Sequence, residues 1–164
     1  MTNTWQDGLP PDPRDMPGPI PLGLRNRNPG NLRFIADPRR AWNGQSPTPG
    51  QGGFGEYETL VLGVRAACKQ LLKGFARAAA DSDGKNTENT VRGIIHRWAP
   101  PVENSTDDYV EAVCRMTGYS PTGVLAPERA TLYNLLRAIF KVEMGGHFVL
   151  AQTVRDGIEA ALDE

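Results

Sequence analysis

The chain has 164 residues, of which 39% are hydrophobic, and its formal net charge is −1. This length is sufficient for one compact domain with a hydrophobic core. The near-zero charge argues against a protein that holds nucleic acid through a continuous basic surface, so we expect no nucleic-acid partner.

The N-terminal segment differs in composition from the rest of the chain. Ten of the fourteen prolines lie in the first 49 residues. Because proline stops helices and removes a backbone donor, we predict a flexible Pro-rich tail over residues 1–23 and a single domain over residues 24–164. The tail lacks the basic start and apolar run of a signal peptide, and no stretch is apolar enough to span a membrane. We therefore expect synthesis in the cytoplasm.

The segment after the tail has the pattern of a small β-hairpin. The stretch "RNRNPGNLRF" contains Asn28-Pro29-Gly30-Asn31, in which proline presets one φ and glycine accepts a positive φ. "LRFI" then predicts a short strand, "NGQSPTPGQGG" a flexible loop over residues 43–53, and "FGEYETL" a second short strand. Together they indicate an irregular hairpin with a long connecting loop.

The remainder of the chain has helical periodicity. A first helix follows from apolar residues that recur between Leu60 and Phe75, and Thr90 can cap a second. Ser105 begins a third with a variant of the capping box, Pro127 opens a fourth, and a fifth covers residues 148–162. The expected fold class is therefore mainly α (α+β), with one small N-terminal β-hairpin.

Cysteines and histidines are too few for several kinds of site. Cys68 and Cys114 are far apart in apolar helical patterns, which favours buried free thiols, with a disulfide left open. Only His96 and His147 are present, and the acidic residues lack metal-ligand spacing, so we expect no metal and no cofactor. Neither histidine has the partners of a catalytic triad.

One carboxylate interrupts an apolar stripe near the C-terminus. On the fourth helix, Leu132, Leu136, Ile139 and Glu143 fall within an arc of roughly 60°. Burial and the negative end of the helix dipole both favour the neutral acid and are expected to raise the pKa of Glu143. An acid of this kind can protonate a leaving oxygen in glycoside cleavage. A salt bridge to an arginine, or fraying at Gly145 that exposes the side chain, are the alternatives.

Four segments carry a family resemblance: "RNRNPGNLRF", "GGFGEYETLVLGVRAACKQLL", "TVRGIIHRWAPPVENSTDDYVEAV" and "VEMGG". In this order they resemble a family of phage and prophage proteins with an Arg-Asn-Asn-Asn-Pro-Gly-Asn signature, described as virion structural proteins or lysozyme-like cell-wall enzymes. The resemblance covers about residues 24–164. Arg27 replaces the middle asparagine of the signature, and Met144 stands where the family has asparagine after the glutamate.

The resemblance implies a lysozyme-like domain that cleaves peptidoglycan, as a muramidase or lytic transglycosylase, with Glu143 as the catalytic acid. Peptidoglycan would be its partner, and the protein would be a monomer. It would reach the periplasm or cell wall through a holin, a virion or a secretion system. The alternative is a non-enzymatic virion structural or wall-binding module on the same fold.

The order of the segments suggests a rearranged chain. In many lysozyme-like transglycosylases the catalytic glutamate ends the first helix and a β-flap follows it. Here the flap-like segment comes first and the glutamate comes late. We therefore hypothesise a circular permutation in which Glu143 lies within about 15 Å of the Asn28–Asn31 turn.

Further site residues follow from the same expectation. Glu56 on the second predicted strand is a candidate second carboxylate, since glycosidases commonly use two about 5–9.5 Å apart. A solvated strand face is the alternative for Glu56, and a lytic transglycosylase can work with one glutamate. Amides, aromatic rings and charged groups that could bind sugar or a substrate carboxylate are Arg25, Asn28, Asn31, Tyr57, Trp98, Glu103, Asn104 and Tyr109.

Overall fold

The fold is mainly α-helical. The computed structural model describes residues 20–99 and 105–163. Within these ranges lie six α-helices: α1 Leu22–Arg25, α2 Leu60–Ala80, α3 Val91–Trp98, α4 Thr106–Thr117, α5 Arg129–Glu143 and α6 Ala151–Leu162. One 3-10 turn covers Gln51–Gly53. The predicted helical class and the five predicted helices are confirmed, and α1 adds a single turn at the start of the domain.

Helix ends follow local sequence closely at some positions and not at others. The Thr90 side chain accepts a hydrogen bond from the Gly93 N–H at 3.1 Å, which confirms the predicted cap of α3. Ser105 instead donates its hydroxyl hydrogen to the Asp108 carboxylate at 2.8 Å, and it makes no side-chain cap bond. Helix α5 begins at Arg129, two residues after Pro127.

Helix α2 forms the centre of the domain and packs most extensively against α6. The two helices approach closely at Gly157, where an added Cβ would overlap the Val64 side chain. Helices α3, α4 and α5 complete the core. The largest fully buried apolar side chains of these helices are Leu60, Ile95, Leu132, Leu135, Leu136, Ile139 and Phe140.

The predicted hairpin is not formed by regular strands. Among the described residues, the two predicted strands share one isolated antiparallel bridge, Arg33 with Phe54, and a second bridge pairs Gln45 of the predicted loop with Tyr57. A side-chain amide takes the place of a neighbouring strand, because Gln45 accepts from the Ile35 N–H and donates to the Ile35 carbonyl, both at 3.0 Å. Backbone groups are thus satisfied without a β-ladder.

The cysteines and the termini complete the description of the chain. Cys68 and Cys114 are free thiols, the first buried and the second half-buried. Burial raises the pKa of Cys68 to about 12, which favours the neutral thiol at neutral pH. Residues 1–19 of the predicted tail lie outside the described residues. Within the described ranges, no helix could cross a bilayer and no group of three potential metal ligands occurs.

A partly buried ion pair joins α2 to the loop before α3. Glu88 accepts hydrogen bonds from Arg77 Nε and Nη2 at 2.9 and 2.7 Å, and from Asn86 Nδ2 at 2.7 Å. The Arg77 guanidinium is the main reason that the pKa of Glu88 lies below its ordinary value of 4.5. This pair therefore stabilises the fold above pH 4.5, and the stabilisation is lost as the pH falls through the lowered pKa.

We expect Glu88→Gln to lower the free energy of unfolding by about 2 kcal/mol at pH 7, since bonds to an ionised group are lost. The difference from wild type should shrink as the pH falls below 4.5. Urea unfolding measured between pH 3 and pH 7 checks both points. Glu159→Gln is the matched control, because the ion pair of Glu159 with Arg129 is exposed. A difference that does not depend on pH would contradict the assignment.

Candidate active site

The N-terminal turn lies against the end of α5. Asn31 Nδ2 donates a hydrogen bond to Glu143 Oε1 at 3.1 Å and contacts the Glu143 carbonyl oxygen at 3.4 Å. The backbone of Asn31 has φ +49°, a left-handed conformation that few residues other than glycine adopt. The turn that Asn28-Pro29-Gly30-Asn31 forms thus aims an amide at a carboxylate 112 positions later.

The second oxygen of Glu143 is held from α4. Tyr109 Oη donates a hydrogen bond to Glu143 Oε2 at 2.8 Å. Burial raises the pKa of Tyr109 well above its ordinary value, and the negative charge of Glu143 adds to this effect. The hydroxyl therefore stays protonated and remains a donor at physiological pH.

Glu143 is subject to opposing influences. Its half-buried position at the negative end of a helix favours the neutral acid, as the sequence indicated. The hydrogen bonds from Asn31 and Tyr109 stabilise the ionised carboxylate instead. Since each oxygen receives a donor, the orientation of the carboxyl group is fixed from two sides.

Glu143 lies in a cleft of about 750 Å³ between the N-terminal loop and the helices. The walls carry aromatic rings of Trp42, Phe54 and Trp98 and polar groups of Gln70 and Arg97, among others. Among the described residues that line this cleft, Glu143 is the only carboxylate. Aromatic walls with a few convergent polar groups suit a sugar-containing ligand.

The Trp98 side chain, which forms part of the cleft wall, is held against the Asn28–Asn31 turn. Trp98 Nε1 donates a hydrogen bond to the Gly30 carbonyl oxygen at 3.0 Å. A Cβ added at Gly30 would lie 2.8 Å from Trp98 Cζ2, so the close approach of ring and backbone requires glycine. The tryptophan thus connects α3 to the same turn that positions Asn31.

Comparison with known proteins gives a family for the chain. It is 30% identical over 137 residues to Protein P5 of Pseudoalteromonas phage PM2, an alignment that covers 84% of this chain and 79% of that protein. The chain belongs to the family of Protein P5. No established family model matches the chain.

The structure brings together four of the residues that the sequence analysis predicted for the site. Asn31, Trp98, Tyr109 and Glu143 meet in the cleft. Tyr109 is only 6% exposed, so its ring packs in the core and its hydroxyl positions Glu143. The expectation that Tyr109 stacks on a sugar ring is corrected in this respect.

Two other predicted ligand-binding residues are structural. Asn28 is fully buried, and its Nδ2 donates to the carbonyl oxygens of Leu32 and Gly55 at 2.9 and 2.8 Å. Its Oδ1 accepts from the Leu32 N–H at 2.9 Å, so every polar atom of this amide is occupied within the loop. Tyr57 is 2% exposed and belongs to the core. Neither side chain reaches a ligand, which corrects both expectations.

The remaining predicted residues lie away from the cleft or outside the described chain. Arg25 is exposed and donates to Gln51 Oε1 at 3.2 Å. Glu56 is exposed and does not line the cleft, so it is not placed to act as the second carboxylate. Glu103 and Asn104 lie outside the described residues.

The sequence analysis did not identify several residues that line the cleft of this chain. Arg33 lies 5.1 Å from the centroid of the Phe54 ring, and both residues line the cleft. Trp42 immediately precedes the predicted flexible loop over residues 43–53, in a stretch for which the sequence predicted no element. Gln70 is a polar residue beside the apolar stripe of α2, and this position was the one local signal that could have identified it.

Proposed function

We propose that the chain cleaves the glycan strand of peptidoglycan, with Glu143 as general acid and then general base. The observation that carries the proposal is the fixed orientation of the Glu143 carboxylate. Glu143 lies half-buried in an aromatic-walled cleft, and each of its carboxylate oxygens accepts a hydrogen bond. A precisely oriented acid beside a sugar-sized cleft is the arrangement that glycoside cleavage requires.

The proposed reaction transfers the Glu143 proton to the substrate and later returns a proton to Glu143. Protonated Glu143 gives its hydrogen to the glycosidic oxygen as the bond to the sugar carbon breaks, and the resulting carboxylate is stabilised by Asn31 and Tyr109. The carboxylate then takes a proton from the attacking group. Water as that group gives a muramidase, and the sugar's own 6-hydroxyl gives a lytic transglycosylase with an anhydro product.

The absence of a second carboxylate among the described lining residues supports a mechanism with one acid. In such a mechanism the substrate's N-acetyl group assists departure of the leaving sugar. The contact of Asn31 supports a direct role for the turn, because its Nδ2 donates a hydrogen bond to the Glu143 carboxylate.

We further propose a lysozyme-like arrangement that is circularly permuted. The contact between Asn31 and Glu143 supports this idea, since it meets the 15 Å criterion with a distance of 3.1 Å between side-chain atoms. Membership of a family with a phage protein supports a role in lysis, in entry through the wall or as an injected effector. The same relationship favours the rival function, a non-enzymatic virion module that binds the wall.

Purified peptidoglycan distinguishes the two functions. The protein is incubated with sacculi, and the masses of soluble products are measured. Release of muropeptides by wild type and not by Glu143→Gln supports the enzyme; anhydro-muramyl ends identify a transglycosylase and reducing ends a hydrolase. No release by either protein, together with sedimentation of both with the sacculi, favours the wall-binding module.

We expect Tyr109→Phe to change the pH dependence of this activity. Removing the hydroxyl leaves Glu143 Oε2 without the donor that stabilises its charged form, so the neutral acid is favoured. The limb of the pH–rate profile that depends on the proton of Glu143 should move to higher pH. Rates of muropeptide release from pH 4 to pH 9 provide the measurement. Tyr133→Phe, ten residues before Glu143 on α5 and outside its cleft, is the control, and an equal shift in both variants would contradict the assignment.

A further inference from the structure

One row of residues on α2 runs from the N-terminal turn to the loop before α3. The row recurs every three or four positions on one side of the helix and consists of Gly63, Ala67, Gln70, Gly74 and Arg77. A Cβ added at Gly63 would overlap the Arg27 carbonyl oxygen, and one added at Gly30 would lie 3.6 Å from Ala67 Cβ. The residues of the row are therefore small where the turn approaches the helix.

The other end of the row meets Glu88. A Cβ added at Gly74 would lie 3.4 Å from Glu88 Cβ, and Arg77 donates two hydrogen bonds to the Glu88 carboxylate. Gln70 lies between these contacts and the contacts with the turn. It is half-buried, and of the five residues in the row it is the one that lines the Glu143 cleft.

The Gln70 carboxamide differs from the other polar groups in the wall of this cleft. Asn31 and Tyr109 donate hydrogen bonds to Glu143, and Trp98 donates one to the backbone of the turn. The carboxamide of Gln70 forms no hydrogen bond with any residue that the structure describes. Its oxygen accepts and its nitrogen donates, so a ligand in the cleft can bond to both atoms.

An aromatic ring lies beside this carboxamide. Gln70 and Trp98 line the Glu143 cleft together, and they also line a smaller cavity together. The Trp98 ring packs against Gly30, which in turn approaches Ala67, one helical turn before Gln70. The ligand group that bonds to Gln70 can therefore place an apolar part against the ring.

We infer that Gln70 recognises the 2-acetamido group of an N-acetylated sugar bound beside Glu143. The choice of ligand rests on the proposed function, because the sugars of peptidoglycan carry this group. An acetamido group has one N–H donor, one carbonyl acceptor and an apolar methyl. The Gln70 carboxamide offers the matching acceptor and donor, and Trp98 offers the apolar contact.

The same pairing predicts which glycans the cleft rejects. A de-N-acetylated sugar carries an ammonium group in place of the acetamido group, and an ammonium group has no acceptor. It leaves the Gln70 N–H donors unpaired, and a site built to form hydrogen bonds discriminates strongly against a ligand that cannot form them. Gln70 is thus a specificity-determining residue for N-acetylated glycan.

Binding is measured first in the Glu143→Gln protein, so that no cleavage occurs. The probes are a tetramer of N-acetylglucosamine and the corresponding tetramer of glucosamine, titrated at pH 6. Gln70→Met keeps the length of the side chain and removes the carboxamide. It should weaken binding of the acetylated tetramer about tenfold and change binding of the glucosamine tetramer by less than about twofold. An equal change for both tetramers, or no detectable binding of the acetylated one, overturns the inference.

Gln70→Glu should exchange the preference. A carboxylate accepts from an ammonium group and cannot donate to the acetamido carbonyl. In the Glu143→Gln protein we therefore expect about tenfold weaker binding of the acetylated tetramer and about threefold tighter binding of the glucosamine tetramer. Gln152→Glu, exposed and outside the cleft, is the control for the added negative charge. The same changes in Gln152→Glu would overturn the inference.

Cleavage of sacculi then separates recognition from folding. Gln70→Met in the otherwise wild-type protein should raise KM for muropeptide release about tenfold, and its thermal unfolding should stay within about two degrees of wild type. An unchanged KM, or a lower kcat that accompanies a loss of stability, would assign Gln70 to the fold and overturn the inference.

The inference and the proposed function can fail separately. Binding of the acetylated tetramer that depends on Gln70, with no release of muropeptides, removes the proposed enzyme and keeps Gln70 as part of a glycan-binding site. Release with a wild-type KM in Gln70→Met, together with tetramer binding that does not depend on Gln70, removes the inference and keeps the enzyme.

Discussion

Replacement of Glu143 by glutamine is expected to lower the rate of muropeptide release by about 10³-fold. Glutamine keeps the size of the side chain and removes the proton that the leaving oxygen requires. The rate is measured from soluble products released per unit time from purified sacculi. A rate that stays within about threefold of wild type would show that Glu143 is not the acid.

The same variant should remain folded. Tyr109 and Asn31 both donate to the carboxylate, whereas the glutamine amide has one oxygen and one donor nitrogen. One of the two donors therefore loses its acceptor, at a cost of about 1 kcal/mol. Thermal unfolding should show a decrease of only a few degrees, which separates the loss of activity from loss of structure.

Glu56→Gln provides the comparison for the same assay. Glu56 is exposed and lies outside the Glu143 cleft, so its replacement should leave the rate of release close to wild type. A loss comparable to that of Glu143→Gln would identify Glu56 as a second catalytic carboxylate. The structure would then have to close further around the substrate.

The helices were predictable because their signals are local. The apolar residues of α2 and α5 recur with the helical period, and Thr90 caps α3 through a bond to a residue three positions later. The position of Glu143 on the apolar stripe of α5 follows from the same period. Such signals depend only on neighbours along the chain, so they can be recognised without knowledge of the tertiary structure.

The contacts that form the site were not predictable from local pattern. Asn31 meets Glu143 across 112 positions and Tyr109 meets it across 34, and no periodicity encodes either meeting. The hairpin prediction assumed that backbone groups pair with backbone groups. In the structure a few backbone pairs form, such as the Gly55 N–H with the Leu32 carbonyl oxygen, and the amides of Asn28 and Gln45 bond to further backbone groups of the loop. The Asn28 side chain is therefore occupied within the loop and is not presented to a ligand.

The contact between α2 and the N-terminal turn makes both the stability of the fold and the geometry of the site depend on Gly63. A Cβ added there would overlap the carbonyl oxygen of Arg27 and would lie 3.2 Å from Pro29 Cδ. Arg27 itself has φ +49°, so the turn has little freedom to move away. We expect Gly63→Ala to lower the free energy of unfolding by about 2–3 kcal/mol, as for other insertions into a packed interior.

Gly63→Ala should also lower activity more than its stability suggests. The turn carries Asn31, and a displacement of about 1 Å in a positioning group can cost on the order of 10² in rate. Gly74→Ala is the control on the same helix, because its added Cβ would meet Glu88 Cβ at an ordinary 3.4 Å. Gly74→Ala should be neutral or stabilise by up to about 1 kcal/mol, since alanine favours a helix interior. Urea unfolding and muropeptide release are measured on Gly63→Ala and on Gly74→Ala. Equal changes of stability and of activity in the two variants would mean that Gly63 contributes only to the helix and not to the turn that holds Asn31 against Glu143.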